Sequence, residues 1–96
     1  MRDLPYFNRA FGQILRRQRQ AAGISQKKLA SRIEGVRSYV QFLEYGRQTP
    51  TATAIILIAE ALGVSPDEML RDSVQLMMEL EEANKTIEEQ RGACLR

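Results

Sequence analysis

The sequence contains no histidine and no tryptophan, and it has a single cysteine, Cys94. Histidine and cysteine supply most zinc ligands and many catalytic pairs, so their scarcity leaves no obvious metal site or catalytic group. A glycine-rich phosphate-binding loop is also missing. One cysteine cannot form an internal disulfide, which fits a reducing compartment. We therefore predict no catalytic residue, no metal and no cofactor, and a protein that is not an enzyme.

Long apolar runs are missing too. The longest, over residues 54–59, is far shorter than the ~18 residues that a membrane span needs. The first residues, MRDLPYF, lack the apolar stretch of a signal peptide. A length of 96 residues suits one small domain. We expect a single cytoplasmic domain, encoded by a bacterium or a phage, with no membrane partner.

Charge is distributed unevenly along the chain. Residues 1–49 carry ten basic and three acidic side chains, a net charge of +7, whereas residues 50–96 carry four basic and nine acidic ones, a net charge of −5. This pattern is typical of a chain that offers one face to a polyanion. Charge alone leaves open the alternative that these side chains simply solvate helix surfaces.

Two short helices joined by a tight turn are predicted within residues 25–46. Leu29 and Ile33 are spaced to face inward together on the first helix, and Val40 and Leu43 on the second. The predicted spans, 26–33 and 37–45, have the size of a helix-turn-helix. The side chains left on the outer face of the second helix could enter a DNA groove. They are Arg37, Ser38, Gln41, Phe42 and Tyr45.

Further helices flank this pair. Apolar spacing predicts a first helix over residues 9–22, with Asn8 as its N-cap and residues 1–8 as a partly ordered arm. After the pair, Thr51 or Thr53 is the N-cap of a fourth helix.

The last predicted helix is the longest. Ser65 is its N-cap, Pro66 suits the first helical position and Glu68 completes a capping box. Nothing in the sequence stops this helix before Gly92. The pattern as a whole predicts a compact all-α fold of five helices, with the helix-turn-helix at helices 2 and 3 and an extended C-terminal helix.

In this order and spacing, the motifs resemble the lambda-repressor-like, Cro/repressor type of helix-turn-helix DNA-binding domain. The residues that carry the resemblance are Phe11-Gly12, Arg16, Arg19, Gly23-Ile24-Ser25-Gln26, Leu29-Ala30, Val40, Leu43-Glu44, Gly46, Pro50, Ile58-Ala59 and Ala61-Leu62-Gly63-Val64-Ser65. The resemblance covers roughly residues 9–70, the expected DNA-binding domain. It leaves residues 71–96 as a C-terminal helical extension with a frayed end.

The resemblance implies that the second helix of the motif, the recognition helix, reads bases in the major groove of double-stranded DNA. Arg37 suits guanine, because a guanidinium pairs with O6 and N7 together, and Gln41 suits adenine. Ser38 can reach a base or a phosphate. Phe42 either contacts a thymine methyl or covers the edge of the motif. We predict base contacts from these four side chains.

Phosphate contacts are expected on both sides of the recognition helix. The family places one in the first turn of helix 2, where Lys27, Lys28 and Arg32 add cations. In the family, the loop after the recognition helix lies along the DNA backbone. Tyr39 and Tyr45 each either donate to a phosphate or pack back on the domain. The predicted phosphate contacts are Gln26, Lys27, Tyr45, Arg47 and Gln48.

The resemblance also implies a structural ion pair between Arg19 and Glu44. In the family, an arginine four residues before the glycine that ends helix 1 pairs with a glutamate near the end of the recognition helix. We expect a partly buried pair that orients helix 1 on the recognition helix.

The turn between the two motif helices departs from the family pattern. The family has glycine, an apolar residue and then a serine or threonine cap, where this chain has Glu34, Gly35 and Val36. The glycine thus sits one place late. Valine has no side-chain oxygen to cap a helix. Either Gly35 is the cap, or Ser38 caps a later start of the recognition helix.

Apolar residues in the second half of the chain suggest association. Leu70, Met77 and Asn84 recur every seven residues, and Ser73, Leu80 and Ile87 form the alternating set of a rough heptad. Ile56 and Leu57 exceed what one core face needs, so they lie either under the last helix or in a dimer. The predicted dimerisation residues are Ile56, Leu70, Val74, Met77, Leu80, Asn84 and Ile87. The alternative is one amphipathic helix that packs on its own domain.

We therefore predict a sequence-specific transcriptional repressor that binds an inverted-repeat operator as a homodimer. One alternative is an antitoxin that represses its own operon while residues 72–96 bind a toxin, a protein partner at the C-terminal helix. Another is a protein-interaction module that has lost DNA binding.

Overall fold

The computed structural model describes residues 2–94, and those residues form five helices without a strand. The helices are α1 (Pro5–Ala21), α2 (Gln26–Arg32), α3 (Arg37–Glu44), α4 (Ala52–Leu62) and α5 (Pro66–Cys94). The predicted all-α fold, with the helix-turn-helix at α2 and α3, is confirmed. Within the described part of the chain, no helix is long and apolar enough to cross a membrane.

The first helix begins earlier than predicted, at Pro5. Proline suits this position because its fixed φ matches the helix and its missing N–H would be unpaired there anyway. Phe7 stacks on Phe11 with ring centroids 6.2 Å apart, which ties the added turn to the core. Asn8 therefore lies inside α1, and its predicted role as N-cap is wrong. The arm predicted for residues 1–8 is correspondingly shorter, and its first residue lies outside the described residues.

The core draws buried apolar side chains from all five helices. Burying a large apolar side chain stabilises a fold by about 1.5–3 kcal/mol, so these contacts hold the short α2 and α3 in place. The largest fully buried side chains are Phe11, Leu15, Leu29, Val40, Leu43, Ile58 and Met69, together with the polar Ser73.

A close helix crossing fixes α1 against the end of α3. A Cβ atom built on Gly12 would lie 2.4 Å from the Leu43 carbonyl oxygen and 2.6 Å from that of Glu44. No side chain fits in that space, so the crossing depends on glycine. The following residues of α1 and α3 are thereby brought side by side.

The α4 and α5 helices begin with side-chain hydrogen bonds. The Ala54 N–H donates to Thr51 Oγ1 at 3.0 Å, so Thr51, and not Thr53, is the N-cap of α4. At the start of α5, the Ser65 hydroxyl donates to the Asp67 carboxylate, where the sequence predicted a capping box with Glu68. That hydrogen bond lowers the pKa of Asp67 below its ordinary value.

The first half of α5 packs along α1. Met69 is buried and Leu76 packs against the core from the same face of α5. Ser73 lies between them, fully buried, and donates to the Met69 carbonyl at 2.8 Å. Ser73 therefore cannot belong to an intermolecular heptad, and that prediction is wrong. Residues 85–91 are all exposed.

Candidate nucleic-acid interface

The turn between α2 and α3 contains a residue in the left-handed region. Glu34 has φ 55°, whereas Gly35 has a φ outside that region. The Gly35 N–H donates to the Ala30 carbonyl at 2.8 Å, which closes the turn. The left-handed position is therefore the one where the family has glycine. The glycine of this chain sits one place later and does not supply the positive φ, so the left-handed conformation has not moved with it.

The recognition helix α3 starts at Arg37 without a side-chain cap. Val36 occupies the N-cap position with extended backbone, φ −105° and ψ 152°. Neither predicted cap, Gly35 or Ser38, is used. Val36 is also 65% exposed, so the residue at the N-cap position neither supplies a side-chain cap nor packs in the core.

The predicted base-contacting side chains lie on one open face of α3. Arg37, Ser38 and Phe42 are exposed, and Gln41 is partly buried. On the opposite face Val40 and Leu43 are fully buried. Tyr39 also packs against the core, whereas Tyr45 remains exposed, so the two tyrosines differ in position.

A hydrogen-bonded network fixes the orientation of α3. Arg19 Nε donates to Glu44 Oε2 at 2.7 Å, and Nη2 donates to Oε1 at 3.1 Å. The third guanidinium contact is to the Ile24 carbonyl at 2.9 Å. Gln26 Nε2 donates to the same glutamate at 3.3 Å. The predicted pair is thus present, and it also positions Gln26, a predicted phosphate contact.

Basic side chains surround a cleft between α2 and α3. The cleft is lined by Arg19, Ser25, Gln26, Lys27 and Arg37. Lys27 and Arg37 are exposed, and together they also line a neighbouring hollow beside Val36. A predicted phosphate contact and a predicted base contact therefore flank the same opening. A cationic cleft of this kind attracts anions.

The loop after α3 carries the remaining predicted phosphate contacts. The Arg47 guanidinium lies 5.8 Å from the centre of the Tyr45 ring, a cation–π arrangement. Gln48 follows and is exposed. The structure thus places Tyr45, Arg47 and Gln48 together beyond the C-terminal end of α3.

Two contacts near this surface were missed by sequence reasoning. Arg32 Nη1 donates to the Ala61 carbonyl at 3.0 Å, so this predicted phosphate-side cation binds the C-terminal end of α4 instead. Asn8 Nδ2 donates to Thr49 Oγ1 at 2.9 Å and joins α1 to the loop after α3. Neither contact has a signal in local spacing, because the partners are 29 and 41 residues apart.

Part of the predicted dimerisation set lies in one apolar hollow. Ile56 and Leu70 line it between α4 and α5. Ile56 and Leu57 are 46% and 41% exposed, so neither lies under α5. Val74 and Met77 follow Leu70 at helical spacing of four and seven residues and are partly buried.

The rest of that set lies further along α5. Leu80 and Ile87 follow Ser73 at intervals of seven residues, on the side of α5 that packs on α1, and Asn84 follows Met77 at the same interval. Leu80 and Asn84 are partly buried and Ile87 is exposed. The dimer contact through these residues stays a prediction. Among the described residues, no three histidine, cysteine or acidic side chains are grouped as a metal site.

The chain is similar to a helix-turn-helix family and to solved structures of regulatory proteins. A family model described as helix-turn-helix matches residues 15–69. The crystal structure of the clp gene regulator ClgR from Corynebacterium glutamicum superposes with a TM-score of 0.76 at 25% identity, over 86% of this chain and 87% of that one. The restriction-modification controller protein C.AhdI from Aeromonas hydrophila superposes with a TM-score of 0.67 at 37% identity, over 71% and 99%. A search of curated protein sequences finds no match.

Proposed function

Because this chain belongs to the Cro/C1-type helix-turn-helix family and is a DNA-binding transcriptional regulator, we propose that it represses transcription by binding an inverted-repeat operator as a homodimer. It acts by binding, without catalysis, on bacterial or phage DNA in the cytoplasm. The main support is geometric: α3 buries one face and keeps the predicted base-contacting side chains on the other.

Base recognition follows from that face of α3. With its N-terminal half against the base edges, Arg37 pairs with guanine and Gln41 with adenine. Ser38 adds a hydrogen bond, and Phe42 contacts a thymine methyl. Arg37 is the main determinant because it is exposed at the first position of α3 and has no carboxylate partner within the described chain.

Phosphate contacts at both ends of α3 hold the helix in the groove. Gln26 and Lys27 bind the backbone on one side, and Tyr45, Arg47 and Gln48 bind it on the other. Each phosphate neutralised by a cation contributes about 0.9 to the slope of log affinity against log salt. These contacts give affinity for DNA of any sequence and set the register in which α3 reads the bases.

A two-fold dimer places two copies of α3 on one side of the duplex. Ile56, Leu70, Val74 and Met77 form the main contact, because Ile56 and Leu70 share an apolar hollow. This contact extends along α5 through the side chains beyond them, Leu80, Asn84 and Ile87. In such a dimer the two recognition helices lie about 34 Å apart, one turn of DNA.

Selection of bound duplexes from random sequence, at two salt concentrations, tests this proposal. We expect an inverted repeat with half-site centres about 10 base pairs apart. Arg37→Ala should cost about 1–3 kcal/mol and relax the preference at one base pair. Arg47→Ala should weaken all sequences alike. A parent protein without sequence preference, or an Arg37→Ala variant that selects the same site with equal affinity, would contradict the proposal.

A further inference from the structure

We propose that Arg9, near the start of α1, forms a further DNA-phosphate site beside Arg47. This inference rests on the proposed function and extends its footprint to a helix outside the helix-turn-helix. The site binds the sugar-phosphate backbone of one DNA strand and adds affinity without base preference.

The backbone of Arg9 lies against the end of the recognition segment. A Cβ atom built on Gly46 would lie 3.0 Å from the Arg9 Cα and 3.2 Å from its nitrogen. Gly46 has φ 72°, which favours glycine on conformational grounds as well. Because Arg47 follows Gly46 directly, the two arginines leave the backbone from neighbouring points of the surface.

The two segments are also joined by a side-chain hydrogen bond. Asn8 Nδ2 donates to Thr49 Oγ1 at 2.9 Å, one residue before Arg9 and two after Arg47. The start of α1 and the loop after α3 therefore form one unit. The backbone of Arg9 is thereby fixed beside the loop that carries Arg47.

The guanidiniums of Arg9 and Arg47 each lie against a tyrosine ring and have no acidic partner among the described residues. Arg9 lies 5.8 Å from the centre of the Tyr6 ring, and Arg47 lies at the same distance from Tyr45. Within the described residues neither arginine forms an ion pair, although Asp3 lines the hollow next to Asn8. A guanidinium stacked on an aromatic ring keeps its N–H groups available at the edge of its plane.

Two adjacent cations of this kind match the DNA backbone. Along one strand, charges follow each other at about 3.4 Å of helix axis, so neighbouring phosphates can each meet one guanidinium. Guanidiniums bind phosphate oxygens through paired N–H donors. Arg9 and Arg47 together then span consecutive phosphates at the edge of the groove that α3 occupies.

The test measures the salt dependence of binding to the DNA that the parent selects and to a scrambled duplex. Arg9→Gln should lower the slope of log affinity against log salt by about 0.9, and Arg9→Gln with Arg47→Gln by about twice that. The preference for the selected site over the scrambled duplex should stay at the parent value. Arg9→Lys, which retains the charge, should keep the parent slope.

Arg17→Gln is the matched control. Arg17 is exposed on the same helix but lines the groove between α1 and α5 with Asp72 and Glu79, so its loss should leave the slope unchanged. Thermal unfolding of each variant, and single methylphosphonate replacements in the DNA, separate a lost contact from a lost fold. The parent, but not Arg9→Gln, should weaken when one particular phosphate is neutralised.

The outcomes separate the two proposals. If Arg9→Gln keeps the parent slope, or lowers it only as much as Arg17→Gln does, the Arg9 site is refuted and the proposed function stands. If the parent itself shows no salt-dependent DNA binding, both fail.

Discussion

Arg19 holds Glu44 at the C-terminal end of the recognition helix through two hydrogen bonds, of 2.7 and 3.1 Å. The glutamate side chain is only 3% exposed and the arginine side chain 13%. Because Glu44 is the last residue of α3, this pair sets how the helix projects from the domain. Its removal should therefore affect both stability and DNA recognition.

Breaking the pair from one side should be costly. Glu44→Leu leaves a largely buried guanidinium without its partner, and we expect a loss of about 3 kcal/mol in the free energy of unfolding. Arg19→Met with Glu44→Leu removes both charges and should lose less than the two single changes added together. Urea unfolding of the four proteins in this cycle measures the coupling. Additive losses would show that the pair contributes no specific interaction.

The crossing at Gly12 predicts a second sensitive position. Gly12→Ala places a methyl group against the Leu43 and Glu44 carbonyl oxygens, so α1 and α3 must separate. We expect a loss of about 1–3 kcal/mol or more, despite the better helix propensity of alanine. Gly35→Ala is the control, because its added carbon would make only ordinary contacts, with the Ile33 side chain at 3.6 Å and the Ala30 carbonyl oxygen at 4.0 Å. Equal losses from both variants, in chemical denaturation, would contradict this account of the crossing.

The left-handed residue in the turn predicts a stabilising change. A non-glycine residue in this conformation costs about 1–2 kcal/mol, and Glu34 has φ 55°. Glu34→Gly removes that strain but adds freedom to the unfolded chain, so we expect a net gain below about 1 kcal/mol. Glu34→Ala removes the same carboxylate and keeps the Cβ atom, and it should give no gain. The measurement compares the thermal unfolding midpoints of the two variants. Equal midpoints would show that backbone strain at residue 34 does not lower the stability of the parent.

The uncapped start of α3 predicts another stabilising change. Val36→Ser supplies an oxygen that can accept from the N–H of Ser38 or Tyr39, and a cap of this kind stabilises by about 1 kcal/mol. Val36→Ala changes the exposed apolar surface without adding an acceptor. We expect only the serine variant to raise the stability to urea. A gain from alanine as large as that from serine would point to the exposed valine surface as the cause.

Residue pattern was enough to predict the five helices and the pair of helices at the motif. Leu29, Val40 and Leu43 occupy buried positions at helical spacing, and such spacing is a local property. The Arg19–Glu44 contact could be anticipated from the family resemblance, since it joins residues 25 apart in sequence.

Features that depend on tertiary contacts were predicted less well. Local rules made Asn8 the N-cap of the first helix, yet the stacking of Phe7 on Phe11 holds the chain helical from Pro5. Spacing alone also placed Ser73 in the same heptad set as Leu80 and Ile87. Only the packing of α1 over it shows that this position is internal.

The 29 residues of α5 form one continuous helix, but only its first half rests on the rest of the domain. Amide protons around Ser73 should exchange with solvent only when the whole domain unfolds, whereas those of residues 85–91 should exchange through local opening of the free end. In the monomer the same helix thus has a steep gradient of protection. Slow exchange in the distal half would then report, amide by amide, that a second molecule has covered it.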